Sequence, residues 1–174
     1  MLSIFKKKTY KEEKIAHLFV DQFFHSVDCG FPEVAALINE SPEFVTCPNI
    51  DDDDSDKFLL LVLAANISAV YKHFPVHVDQ SIVRKILEEV SDVGGVHYLA
   101  LTSSVAELQK FISKVNHPSK NLVYGLSKAI FFKYELAKHQ EKYFKNLNSP
   151  NPILLKRLDD AVINFIWDWE NLSA

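Results

Sequence analysis

Five carboxylates fall within six residues in the run DDDDSD, residues 51–56, and that density of oxygen donors is what a hard divalent cation requires. Mg²⁺ takes carboxylate oxygens and substrate phosphates together. Asp52, Asp53 and Asp56 are therefore the candidate metal residues of a metal-assisted hydrolase or phosphate-handling enzyme, with Mg²⁺ as the cofactor implied by that chemistry alone. A structural role competes with it. Eight apolar residues, Phe58–Ala65, follow directly, and acids at the start of a helix gain ~0.3 to 1 kcal/mol each from the helix dipole. The structural role is the stronger expectation, because a metal would need further ligands converging from a distant segment.

Other residue sets bear on catalysis. Asp52, Asp53 and Asp56 resemble the D-D-x-x-D motif of prenyl-chain synthases, but the second acidic motif of those enzymes has no counterpart here. A calcium loop is excluded by Lys57 where a glycine must turn the chain and by Leu63 where the bidentate Glu belongs. YGLSKA, with Tyr124 and Lys128, resembles the Tyr-x-x-x-Lys pair of short-chain dehydrogenases, in which lysine prepares tyrosine for proton transfer. No strand leads into a glycine-rich turn to hold their dinucleotide. Glu89 and Asp92 match only the second half of the acidic set of helical nucleotide pyrophosphohydrolases, and no His-Asp dipeptide occurs.

Histidines supply the remaining ligand candidates. His17, Asp21 and His25 recur at helical spacing, and His73, His77 and Asp79 surround Pro75. At ~1.5 Å rise per residue, His17 and His25 stand about 12 Å apart, too far for one ion. Each set would have to borrow donors from elsewhere. Lys138, Lys142 and Lys145 suit either an acidic partner or the carbonyl end of a helix, with Glu141 as a neighbour. Cys29 and Cys47 lack metal-type spacing and are expected as free thiols of a cytoplasmic protein.

The elements that must position these residues read as helices. A chain of 174 residues with 48% hydrophobic and 24% charged composition is expected to form one domain over residues 1–174, with residues 1–8 a flexible tip. Thr9 and Glu12 have capping-box spacing, which predicts a helix over about 10–29 stopped by Gly30. Pro32 then opens a short helix ended by Ser41-Pro42. The segment 56–74 is apolar nearly all round and predicts the central helix, ended by Pro75. Asp79 caps a helix closed by Gly94-Gly95; the next is placed at 105–115 behind the Ser104/Glu107 pair, with 96–104 helical or extended. The segment 120–147 forms one long helix whose polar end projects from the core. Asn151-Pro152 opens the last helix, which carries an apolar face to Trp169.

The expected fold is an all-α single-domain bundle of about seven helices with mixed crossing angles. No run reaches the ~20 apolar residues of a membrane crossing. A net charge of −4 argues against a general nucleic-acid binder. The excess of aromatics, 13 Phe, six Tyr and two Trp, points to a non-enzymatic helical module that binds another protein or a second copy of itself; Phe131-Phe132 and Trp167-Trp169 are the candidate exposed members. A small apolar ligand held between helices is a weaker alternative.

Overall fold

The structure, a computed structural model, describes the backbone of residues 2–173 and the side chains of residues 11–172. The expected tip over residues 1–8 and Thr9 of the capping box lie outside the residues whose side chains are described. The described residues form seven helices and a final helical turn: α1 (Leu2–Asn39), α2 (Asp56–His73), α3 (Val78–Gly94), α4 (Tyr98–Asn116), α5 (Leu122–Lys133), α6 (Lys142–Leu147), α7 (Pro152–Val162) and α8 (Trp169–Ser173). Two 3-10 turns, Leu136–His139 and Ile163–Phe165, join α5 to α6 and extend α7. The all-α bundle expected from the sequence is the fold observed.

Helix α2 lies at the centre, as its composition demands. Every residue from Leu61 to Ile67 is buried, and α1, α3, α4, α5 and α8 all pack against it. It ends at Phe74, whose extended backbone (φ −115°, ψ 148°) is the conformation forced on a residue before proline. Asn66 is the one polar side chain in that buried stretch, and all four of its hydrogen-bonding positions are filled. Its Nδ2 donates to the carbonyls of Val62 and Phe165, while Oδ1 accepts from the backbone N–H of Trp167 and from Nε1 of Trp169. The C-terminal segment is thereby fastened to the middle of the core.

Several boundaries differ from expectation, among them the start of α1 at Leu2 instead of about 10 and the end of α7 at Val162, short of Trp169. Helix α1 does not stop at Gly30 but continues to Asn39 with Pro32 inside it. Gly30 serves close packing instead of chain reversal, since a Cβ there would stand 2.6 Å from Cζ of Phe165. Burial of Phe31, Val34, Ala35 and Ile38 offsets the hydrogen bond that Pro32 cannot make. Helix α3 starts one residue ahead of Asp79, which sits buried in the first turn and accepts from the N–H of Gln80. Helix α4 begins at Tyr98, not 105, because Leu101 is buried and the hydroxyl of Thr102 bonds back to the Tyr98 carbonyl. Gly95, in the left-handed region at φ 62°, closes α3 as expected.

The expected helix over 120–147 is broken after Lys133. Glu135 takes the left-handed conformation (φ 53°), and the chain folds back so that Leu136 and Gln140 become buried. Gln140 holds the return: its Nε2 donates to the Ser149 carbonyl and its Oε1 accepts from the Asn151 N–H. Asn151 caps α7 through the N–H of Ile153, with Pro152 in the first turn, as the sequence indicates. Of the polar half expected to project, Tyr134, Leu136 and Gln140 are buried, and only α6 leaves all six of its residues unburied.

Candidate functional site

The loop before α2 presents its acids to solvent. Asp51, Asp52, Asp53, Asp54 and Asp56 are all exposed. Within the loop, Asp51 Oδ1 accepts the Asp53 N–H at 3.1 Å, and Asp54 stands 3.9 Å from Lys57 Nζ. Only Asp56 belongs to the first turn of α2, and no acid side chain caps it. The cap comes from Tyr134, which no local sequence signal singles out. Its hydroxyl donates to the Asp54 carbonyl at 2.7 Å and accepts the Phe58 N–H at 3.2 Å. Burial, reinforced by the Asp54 and Asp56 charges, holds the Tyr134 phenol well above its ordinary pKa, so it stays protonated and able to donate.

Among the described residues, no three His, Cys, Asp or Glu side chains meet so as to hold a metal ion. Asp52, Asp53 and Asp56 are neighbours in sequence with no converging donor. His17 bridges helices instead, with Nε2 3.4 Å from Asp21 and Nδ1 3.3 Å from Glu89 of α3. His25 lies beside Cys29, whose sulfur is 3.7 Å from Nδ1 and 3.8 Å from Nε2. Near-equal distances to the two ring nitrogens are not those of a bond directed along one lone pair, unlike the contact that activates a nucleophile. His73 and His77 are exposed beside Pro75 and gather no ligand set.

The Tyr124/Lys128 pair is close but arranged for a different interaction. Lys128 Nζ stands 4.6 Å from the centre of the Tyr124 ring, a cation over an aromatic face. Lys138 pairs with Glu135 at 3.5 Å, not with Glu141, and it sits on the 3-10 turn while Lys142 and Lys145 sit on α6. Of the aromatics expected at the surface, Phe131 and Trp169 are buried and Phe132 and Trp167 half-buried. Both cysteines are free and exposed.

Where α1, α2, α3 and α4 meet, the structure leaves an open apolar groove of about 490 Å³. Val90 and Leu101 form its buried floor, and Phe24, Leu59 and Leu60 its half-buried walls. Its mouth is made by Gly94, Val96 and Ala100 at the short α3–α4 corner, with Asp56 at the edge. The same corner also exposes Val93 (66%) and Leu99 (68%), neighbours in sequence of Gly94 and Ala100. Two sequence signals bear on it: Phe24 lies off the main stripe of α1, and valines flank the Gly94-Gly95 break. A second hollow, about 600 Å³ between α1 and the end of α7, is lined by Ser26, Cys29, Glu33 and Asn164 besides apolar groups and is correspondingly more polar.

No helix among the described residues is long and apolar enough to cross a membrane. No family of proteins, curated protein or solved structure matches this chain, and the groove at the α3–α4 corner is the feature on which a functional reading can stand.

Proposed function

We propose that this protein is a helical interaction module, without catalytic activity of its own, that receives an apolar segment of another polypeptide in the groove between α1, α2, α3 and α4. One observation carries the proposal: the groove is lined mainly by apolar residues, and Val93 and Leu99, next in sequence to its lining residues Gly94 and Ala100, are themselves exposed, where a single-chain bundle gains nothing by exposing them. Scattered exposed leucines are ordinary in globular proteins; a mainly apolar groove with two large exposed aliphatic side chains beside its mouth is not. An open mouth of Gly94, Val96 and Ala100 suits a chain segment better than a small molecule, which is normally enclosed on most sides. No free strand edge occurs among the described residues, so helix-in-groove contact is the recognition mode that fits.

The test is position-dependent photocrosslinking in the protein's own cells. A photoreactive amino acid placed at Val96 or Leu99 is expected to yield a discrete adduct of defined mass, whereas the same group at exposed Tyr71, away from the groove, gives none. Equal adducts from both places, or none from the groove, overturn the proposal.

A further inference from the structure

The groove has one acid, Asp56, in its lining, and the segments that line it are acidic as well as apolar. From Ile15 to Asp56 the chain holds ten carboxylates and not one Lys or Arg, and from Ile86 to Gln109 it holds four carboxylates and again no cation. Those two stretches contain every groove-lining residue of α1, α3 and α4, and the cations of these helices, such as Lys14, Arg84, Lys85 and Lys110, lie outside them. The nearest cation on α2, Lys57, is turned away toward Asp54 and the Tyr134 ring. A segment entering this groove must bring apolar side chains, and it gains if it brings lysines.

The opposite composition occurs in the same molecule. Residues 110–157 carry ten cations against two carboxylates. Within them, α6 exposes Tyr143 (66%) and Leu147 (58%), one helical turn apart on one face, next to Lys142 and Lys145. Ile153 adds a third exposed apolar group at the start of α7. A six-residue helix is far too short to be stable alone, and although Phe144 is half-buried none of its residues is fully buried, so Tyr143 and Leu147 add nothing to the monomer's core. α6 packs against the turn Leu136–His139 and contributes nothing to the groove, so a molecule does not seat its own α6 there.

We infer that the occupant of the groove is α6 of a second copy of this chain, with Tyr143 and Leu147 inserted over Val96 and Leu101 and with Lys142 and Lys145 facing the Asp51–Asp56 loop. This rests on the interaction function proposed above and names its partner. The contact is heterologous, because each copy offers a groove and a plug on different surfaces; assembly therefore proceeds head to tail and passes beyond a dimer unless a ring closes.

Two variants test it, both at exposed positions: Ala100→Glu in the groove and Leu147→Glu in the plug, with far-UV circular dichroism confirming that each folds. By sedimentation velocity, the parent protein is expected to self-associate with rising concentration, and to do so at least about tenfold more weakly at 500 mM than at 50 mM salt. Each variant alone remains monomeric. An equimolar mixture of the two forms a dimer and stops there, because one intact groove and one intact plug remain. A monomeric parent protein, or a mixture that fails to dimerise, overturns the inference. If the parent is monomeric while Leu99 still photocrosslinks to a different protein, the interaction function stands and only the identity of its partner falls.

Discussion

Two polar side chains, Asn66 and Tyr134, hold the bundle together at points where the apolar pattern is silent. Asn66 interrupts an otherwise apolar run, and its position hints at a buried polar role; its partners, at Phe165, Trp167 and Trp169, are about a hundred residues away and no local spacing connects them. Asn66→Ala would leave the Phe165 carbonyl, the Trp167 N–H and the buried Trp169 indole N–H without partners. An unsatisfied buried group costs about 1–3 kcal/mol, so a loss of about 3 kcal/mol or more in urea unfolding is expected, together with a changed near-UV tryptophan signal. Tyr134 adds a pH dependence. The native state keeps its phenol protonated above the ordinary value of 10.0, so its contribution is complete below about pH 10. As pH rises beyond that, the unfolded chain loses the proton before the folded one does, and stability falls. Tyr134→Phe is expected to cost about 1–2 kcal/mol at neutral pH and to flatten the alkaline decline. An equally steep decline in the variant would assign it to other groups.

At the level of elements, the sequence was most legible where composition alone decides. The circumference of α2, the Asn151-Pro152 start of α7 and the Gly95 stop of α3 follow from burial, capping and left-handed geometry acting locally. It was least legible where a distant element sets the outcome. Gly30 looks like a helix stop, yet α1 passes through it because Phe165 packs on its Cα and the helix gains a buried face on both sides. KYELAKHQEKYF has good helix-forming composition, yet it breaks at Glu135 because burying Leu136 and Gln140 requires the chain to turn back. The candidate groove shares this property: its lining comes from four helices, and only their packing brings Phe24, Leu60 and Val96 together. Gly30→Ala separates the two roles of that glycine. A stop signal lost from a helix interior would be stabilising, since alanine favours helix by about 1 kcal/mol. A packing glycine behaves oppositely: the new methyl group must displace the Phe165 ring, which itself lies edge-on to Phe58 at 4.8 Å. A net destabilisation of about 1–3 kcal/mol is expected from thermal or urea unfolding.

Across the whole molecule, charge is segregated more strongly than its net value of −4 suggests, and the acidic run is part of that segregation. Asp51–Asp56 would act as a metal site only if a second segment brought donors to it, and the described residues bring none. As one edge of a groove lined by acidic segments, the run needs no convergence; its exposure is what allows a field to reach an approaching lysine. The two roles make opposed predictions for thermal unfolding. A native-state site held at 100 times its Kd by Mg²⁺ or Mn²⁺ adds about 2.7 kcal/mol, which for a chain of this size moves Tm by several degrees. The groove role gives no such shift. Saturating Mg²⁺ or Mn²⁺ is therefore expected to leave Tm within about 1 °C of its value in matched ionic strength, both in the parent and after Asp52→Asn with Asp53→Asn. The same double variant should weaken self-association, because it removes charge facing Lys142 and Lys145. A metal-dependent rise in Tm that disappears in the double variant would instead establish the acidic run as an ion site.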